Sequence, residues 1–200
     1  MIPTPKAIIF DCDGTLLLTA DLHFSAISQA VELQGGVMSW AWYAGKTGLG
    51  RHDLFKQFEV EFGGSFDHPE LAAQSISLTL ELAALARPNP VVADLARRCH
   101  GQRPIAVATN SERKIVTSVL GATGLLDLFD HVVSIDDVAQ PKPAPDMFLR
   151  AAQLLNTAPE ECLVLEDSDQ GLSAAKAAGM MRLDVREQAA LNIISQMPSS

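Results

Sequence analysis

Two aspartates separated by one residue, Asp11 and Asp13, follow a short apolar run at residues 7–10. That run is typical of a buried strand in a parallel sheet. Residues two apart in an extended chain point the same way, so both carboxylates can face one site across Cys12. Two close carboxylates repel each other, which favours a cation beside them. The alternative is an ordinary turn at Gly14 with both carboxylates in solvent.

Polar side chains also follow three later apolar runs. Thr109 and Asn110 come after the second run, and a hydroxyl beside a helix start can bind phosphate. Lys142 lies in a proline-rich loop after the third run, and Glu166 and Asp167 follow the fourth. Taken singly, these residues could be helix caps, an exposed lysine and an acidic helix start. Together they predict a site that combines acids, a hydroxyl and a fixed cation.

The elements that must bring these residues together alternate along the chain. Short apolar runs are separated by segments with helical periodicity, and this alternation predicts an α/β fold with a doubly wound parallel sheet, a Rossmann-like core. The carboxyl ends of such strands meet along one edge, where open α/β sheets hold their ligands. The predicted strands after the first cover residues 104–108, 132–135, 163–165 and 181–185, and the predicted core helices cover 111–120, 146–155 and 168–178.

One long segment breaks the alternation. Three helices are predicted, over residues 21–33, 51–62 and 69–86, the third being the longest, with no strand among them. We therefore expect a helical cap domain at residues 17–87, inserted into a catalytic core formed by residues 1–16 and 88–200.

Composition limits the classes of partner. The chain has 200 residues and a net charge of −9, which disfavours nucleic acid and anionic membranes but not a small phosphorylated ligand. No apolar run approaches the length of a membrane span. Three widely spaced cysteines, Cys12, Cys99 and Cys162, indicate a reducing compartment, and we expect a cytoplasmic protein. We expect a monomer, because the predicted site needs residues from one chain alone.

The ordered set of motifs resembles the haloacid dehalogenase superfamily. The segment from Asp11 to Thr15, then Thr109, Lys142 and the pair Glu166-Asp167, match the four motifs of that superfamily in order. The early helical insertion is similar to its small helical cap.

Within the superfamily, the chain resembles the β-phosphoglucomutase branch. The segments 19–24, which includes His23, and 48–53, which includes Arg51, carry this likeness. Residues 100–186 are also similar to bacterial fructose-1-phosphate phosphatases of that branch. Leu18 departs from the pattern, because many relatives have an aspartate there.

The resemblance implies a role for each matched residue. Asp11 would be the nucleophile that takes the phosphoryl group, and Asp13 would protonate the leaving oxygen and then deprotonate water. Mg²⁺ would be held by Asp11, the Asp13 carbonyl and Asp167, with Glu166 assisting. The phosphoryl oxygens would be bound by Thr109, Asn110 and Lys142, and His23 and Arg51 would be the cap residues near the substrate.

The expected function is hydrolysis of small sugar phosphates by a Mg²⁺-dependent phosphatase. A phosphosugar mutase of the β-phosphoglucomutase type is the main alternative, since it shares the machinery and differs in the acceptor of the phosphoryl group. A dehalogenase is disfavoured because a halide leaving group needs no proton from Asp13. A binding protein on a decayed enzyme fold is disfavoured by the complete motif set.

Overall fold

A computed structural model describes residues 4–46 and 48–199 of the chain. Within these residues the strands and helices alternate, apart from a helical stretch after the second strand. The strands are β1 (Ala7–Phe10), β2 (Leu17–Leu18), β3 (Arg87–Pro88), β4 (Ile105–Ala108), β5 (His131–Val133), β6 (Cys162–Glu166) and β7 (Met181–Asp184). The helices are α1 (Ala20–Leu33), α2 (Trp40–Tyr43), α3 (Arg51–Phe62), α4 (His68–Glu81), α5 (Pro90–Cys99), α6 (Arg113–Ala122), α7 (Asp146–Leu154), α8 (Asp169–Ala177) and α9 (Gln188–Gln196).

The main sheet is parallel and has the strand order β5-β4-β1-β6-β7. The chain moves outward from β1 through β4 to β5, and then returns to place β6 on the other side of β1. The order therefore reverses between β1 and β6, and ligands of open α/β sheets bind beyond the strand ends at such a point. The predicted α/β fold with a doubly wound parallel sheet is confirmed.

Helices cover both faces of this sheet, so its central strands are apolar on both sides. Ile8 and Phe10 of β1 pack on one face with residues of α5, α6 and α9. Ala7 and Ile9 of the same strand pack on the other face with residues of α7 and α8. The alternation of side chains along a strand thus builds two core layers from four consecutive apolar residues.

The segment between β2 and β3 is helical and has a hydrophobic cluster of its own. Ile27 and Val31 of α1, Phe55 and Phe58 of α3, and Leu71 of α4 are among its buried members. No helix within residues 4–46 and 48–199 is long and apolar enough to span a membrane.

Three expectations about this segment were wrong in detail. Leu17–Leu18 and Arg87–Pro88 form a two-residue antiparallel pair at its two connections, too short to produce an alternating pattern in the sequence. The predicted helix over 69–86 ends as α4 at Glu81 and is followed by a 3-10 turn at Ala83–Leu85. It is not the longest, because α1 and α4 both have 14 residues. Residues 82–86 contain no glycine or proline, so no local stop signal marked the boundary.

The structure also contains elements that the sequence patterns did not predict. They are the short aromatic helix α2 and the amphipathic helices α5 and α9. Helix α5 begins at Pro90, a residue type that interrupts a helix interior but is compatible with its first turn. Proline at the first helical position is common, because its missing N–H has no partner within the helix.

Candidate active site

Three carboxylates converge at the point where the strand order reverses. Asp11 directly follows β1, Glu166 ends β6 and Asp167 comes next. One oxygen from each carboxylate lies within 4.8 Å of the other two. Asp11 and Glu166 are buried and Asp167 is half-buried. Burial and the neighbouring Glu166 carboxylate raise the pKa of Asp11 well above its usual range and that of Asp167 to about 7.

Lys142 is the cation of this acidic cluster. Its Nζ donates to Asp11 Oδ1 at 2.7 Å and to Glu166 Oε2 at 2.8 Å, and its side chain is only 3% exposed. Burial lowers the pKa of Lys142, but the two carboxylates outweigh this and hold it above the usual range. One lysine cannot balance the charge of three carboxylates, and a divalent cation, which prefers oxygen ligands, could balance the rest.

Two glycines let the carboxylates occupy these positions. Gly14 has a φ of +89°, and a Cβ there would lie 2.0 Å from Asp167 Oδ2. A Cβ on Gly171, in the first turn of α8, would lie 1.8 Å from Glu166 Oε2. Side chains at either position would displace an acid of the cluster.

Asp13 lies in a different environment from Asp11. Thr19 Oγ1 donates to Asp13 Oδ1 at 2.8 Å, and His23 Nε2 lies 2.8 Å from the same oxygen. Ser111 Oγ donates to Asp13 Oδ2 at 2.6 Å, and Thr109 Oγ1 does so at 3.3 Å. Burial acts to raise the pKa of Asp13, but His23 and the hydrogen bonds from Ser111 and Thr19 hold it well below its usual range.

Asn110 ties the loop after β4 to the loop that carries Lys142. Its Oδ1 accepts from the Lys142 backbone N–H at 3.0 Å, and its Nδ2 donates to the Lys142 carbonyl at 3.2 Å. The same Nδ2 donates to the Gly48 carbonyl at 3.2 Å. Asn110 therefore connects two core loops with the helical segment above them.

Arg51, at the start of α3, joins that segment to the core. Its Nη1 donates to Glu112 Oε2 at 2.8 Å. Its Nε and Nη2 donate to Ser75 Oγ at 3.1 Å and to Thr79 Oγ1 at 2.9 Å, both on α4. The guanidinium is thus fixed between α3, α4 and the residue before α6.

All these elements surround one cavity of about 110 Å³. The acidic cluster and the loops after β1 and β4 form its floor, and residues from α1, α2 and α3 form its roof. Its lining includes Asp11, Asp13, Thr19, His23, Ile27, Tyr43, Lys46, Gly48, Leu49, Arg51, Leu54, Thr109, Asn110, Ser111, Lys142, Glu166 and Asp167.

The structure brings every sequence-predicted site residue to this cavity wall. Their roles in chemistry stay predictions. Ser111, Thr19 and Tyr43 also lie here and were not predicted as site residues. Ser111 follows Thr109 by two residues and opens the predicted helix over 111–120, which accounts for a polar side chain without a role in the site. Thr19 lies in the segment 19–24 that carries the branch likeness, but no site role was assigned to it, and nothing in the sequence separated Tyr43 from an ordinary position at a helix end.

Comparison with known proteins identifies the class to which this site belongs. A sequence model of the haloacid dehalogenase-like hydrolases matches residues 5–179. The chain therefore belongs to the haloacid dehalogenase-like hydrolase family, and it is a hydrolase.

Individual proteins of this family are similar to the chain over most of its length. Fructose-1-phosphate phosphatase YqaB of Escherichia coli strain K12 is 35% identical over 194 residues, which cover 90% of this chain and 95% of that protein. Beta-phosphoglucomutase of Bacillus subtilis strain 168 is 28% identical over 188 residues, 90% of this chain and 83% of that protein. The crystal structure of CbbY from Rhodobacter sphaeroides in complex with phosphate has a TM-score of 0.81 and 28% identity, covering 89% of this chain and 84% of that one.

Proposed function

We propose that this hydrolase is a phosphatase of small sugar phosphates and that it works through a phosphorylated Asp11. The observation that carries the proposal is the contrast between two aspartates at one strand end. Asp11 is held by Lys142 within the acidic cluster, whereas Asp13 accepts hydrogen bonds from hydroxyls beside His23. The two carboxyl groups therefore have different partners, as expected of a pair that divides nucleophilic and acid–base work. Burial and the neighbouring carboxylates raise the pKa of Asp11, and a divalent cation held by the acidic cluster would lower it again, so that Asp11 would attack as the ionised group.

Asp11 is the proposed nucleophile. Its carboxylate lies on the cavity floor at the carboxyl end of β1 and is fixed by the bond from Lys142 Nζ. An Asp11 oxygen attacks phosphorus, the bond from phosphorus to the sugar oxygen breaks, and that oxygen leaves with a proton. Attack by water on the phosphorylated aspartate then releases phosphate and regenerates the carboxylate.

Asp13 is the proposed proton carrier. In the free enzyme it is ionised, because its neighbours hold its pKa low. The approach of an anionic phosphate raises the pKa of a nearby carboxyl group, so substrate binding favours protonation of Asp13. The protonated group can then donate to the leaving sugar oxygen and afterwards accept a proton from water.

The acidic cluster fits a resident divalent metal ion. The group of Asp11, Glu166 and Asp167 offers converging carboxylate oxygens, and Lys142 balances only one of their charges. We propose that Asp11, Asp167 and the Asp13 carbonyl hold Mg²⁺. Glu166 would assist through its contacts with Lys142 and the Asp167 N–H. When bound, Mg²⁺ would neutralise charge on the phosphoryl oxygens and orient them.

Lys142, Thr109 and Asn110 are the proposed phosphoryl-binding residues. Lys142 Nζ and the Thr109 hydroxyl both lie at the cavity floor, close to Asp11 and Asp13 respectively. Positioning and charge stabilisation of this kind supply most of the catalysis in phosphoryl transfer.

The residues of the cavity roof could contact a leaving group of the size of a sugar. Residues 17–87 would act as a cap over a core formed by residues 1–16 and 88–200. Ile27, Leu54 and Tyr43 give the roof apolar surface, and His23 and Arg51 give it polar groups. Such a mixture suits a small carbohydrate, and the similarity to fructose-1-phosphate phosphatase makes fructose 1-phosphate the first substrate to test.

The test measures phosphate release from a panel of sugar monophosphates, with Mg²⁺, after treatment with EDTA, and after Mg²⁺ is restored. We expect activity that is lost with EDTA and recovered with Mg²⁺, because the Asp11–Asp167 cluster otherwise leaves its charge uncompensated near the phosphate. Full rates in metal-free buffer would contradict the metal site. Phosphorus NMR on the same samples detects isomerisation without phosphate release, the outcome that the mutase alternative predicts.

A further inference from the structure

Each nitrogen of the Arg51 guanidinium is already engaged by the protein. Ser75, Thr79 and Glu112 accept its hydrogen bonds, and its side chain is only 8% exposed. Arg51 lies in the cavity wall at the start of α3, in the helical segment, whereas the acidic cluster belongs to the strand ends of the core. A cation in this position would be suited to a second anionic group on the substrate if its charge were available.

Glu112 offsets that charge. It comes from the core, directly before α6, and its side chain is 24% exposed at the ion pair with Arg51. An opposite charge at 2.8 Å in partly buried surroundings largely cancels the field of the arginine.

The two lysines in the lining of the described cavity also have carboxylate neighbours, although that of Lys46 is at the limit of ion-pair distance and exposed. Lys46 Nζ lies 4.0 Å from a Glu61 carboxylate oxygen and 5.3 Å above the centre of the Trp42 ring. Lys142 is shared between Asp11 and Glu166. Among the described residues of the roof, a second anionic group on the substrate would therefore meet Arg51 already paired with Glu112, and Lys46 lying beside Glu61 and Trp42.

We propose that Glu112 is a specificity-determining residue that restricts the enzyme to monophosphates with an uncharged leaving group. The inference rests on the proposed phosphatase function and deepens it. A second phosphate near Arg51 would lose its hydration and would compete with Glu112 for a guanidinium whose three nitrogens each already donate a hydrogen bond. The ion pair with Glu112 would therefore leave much of the phosphate's desolvation cost uncompensated. A phosphosugar mutase must hold a bisphosphate between its two transfers, and this roof disfavours that species.

The test compares two non-hydrolysable ligands, phenylphosphonate and 1,4-phenylenediphosphonate, by calorimetry with Mg²⁺ present. They share the ring and one phosphonate, so the ratio of their Kd values isolates the effect of the second anionic group. We expect the wild type to bind the monophosphonate more tightly. We expect Glu112→Gln, which can still accept from Arg51 but carries no charge, to shift the ratio toward the diphosphonate by about tenfold.

Two further variants separate charge from loosened packing. Glu112→Ala removes both the charge and the hydrogen bond, and it should shift the ratio in the same direction. Asp94→Asn removes one negative charge from an exposed ion pair with Arg98 on α5, and it should leave the ratio unchanged. A variant that merely loosens the roof weakens both ligands in parallel and leaves their ratio as it was. The shift in Glu112→Gln should also shrink as salt is raised, because it is electrostatic.

The inference is overturned if the Glu112→Gln ratio stays within about twofold of the wild type, a difference below roughly 0.5 kcal/mol. It is also overturned if Asp94→Asn produces an equal shift, or if neither phosphonate binds any of the proteins. Because the readout is binding, it does not depend on turnover. A sugar monophosphate that is not hydrolysed therefore contradicts the proposed function, while the ratio still decides the role of Glu112.

Discussion

Two identical side chains at one strand end acquire opposite properties from their neighbours. Asp11 is buried beside Glu166, which raises its pKa, while Asp13 is stabilised as an anion by His23, Ser111 and Thr19. The sequence places the two aspartates side by side but does not distinguish them. The contrast arises from residues up to 155 positions away, which only folding brings into contact.

Asp11→Asn should abolish turnover of every phosphate ester while leaving the fold intact. An amide oxygen is a poor nucleophile, but asparagine has almost the same shape and can still accept from Lys142. Phosphate release should fall by at least about a thousandfold, roughly 4 kcal/mol of transition-state stabilisation. Thermal unfolding of the same sample checks that the fold is retained.

Asp13→Asn is the matched control for the nucleophile. It should fail mainly with sugar phosphates, whose leaving oxygen needs a proton, and should lose less with p-nitrophenyl phosphate, whose leaving group needs little help. Wild-type turnover in Asp11→Asn, or equal losses for both substrates in Asp13→Asn, would contradict the assigned roles.

At the scale of single elements, the start of α8 is shaped to admit a carboxylate. Gly171 is buried in its first turn, and the absence of a side chain there provides the space for Glu166 Oε2. Ser168 caps the same helix by accepting from the Gly171 N–H, and it also donates to Glu166 Oε1. The helix start therefore serves the site as well as its own hydrogen bonds.

The substitution Gly→Ala should have opposite effects in two helices. At Gly171 the new Cβ would lie 1.8 Å from Glu166 Oε2, so we expect a loss of stability of about 1–3 kcal/mol and weaker Mg²⁺ binding. At Gly121 in α6 no atom lies within 4 Å of the added Cβ, so alanine should stabilise the protein by about 0.5–1 kcal/mol. Urea unfolding measures both effects. A stabilised Gly171→Ala variant would show that Glu166 relocates without cost.

For the whole molecule, the site is completed only where the helical segment meets the core. Gly48 lies close to Ser168, Arg51 pairs with Glu112, and His23 contacts Asp13 across this junction. The segment has its own hydrophobic cluster and two short connections at β2 and β3. We expect it to open for substrate and to close over it as a lid.

Gly48→Ala should impair closure. Gly48 has a φ of +87°, and a Cβ there would lie 2.8 Å from Ser168 Cβ of the core. We expect kcat/KM for sugar phosphates to fall by about tenfold and that for p-nitrophenyl phosphate to fall less, because about 1.4 kcal/mol of closed-state contacts is forfeited.

Gly63→Ala provides the control for backbone strain. Gly63 also has a positive φ, +73°, but no atom lies within 4 Å of its added Cβ. Because its ψ of −172° places it in a region that is essentially restricted to glycine, the substitution should lower stability by about 1–3 kcal/mol without changing kcat/KM. If both variants lose activity to the same degree, the junction at Gly48 does not control closure.

The sequence by itself determined the parallel sheet and the types of residue at the carboxyl ends of its strands. Apolar runs buried on both faces can form only the central strands of a covered parallel sheet, and polar residues after each run must gather at one edge. For that reason Asp11, Asp13, Thr109, Lys142, Glu166 and Asp167 could be predicted as neighbours from their order alone, and the structure places them around one cavity.

The tertiary structure decided how each of these groups is balanced and what covers them. Short elements such as β2, β3 and α2 carry too few residues for a periodic pattern, so the connections and part of the roof were not predictable. The pairing of Arg51 with Glu112 joins residues 61 positions apart in separate layers, and no local pattern encodes such a contact. Charge balance depends on three-dimensional distance, and therefore the state of Asp11 and Asp13 and the pairing of Arg51 arise only from the packing of the helical segment on the strands and loops of the parallel sheet.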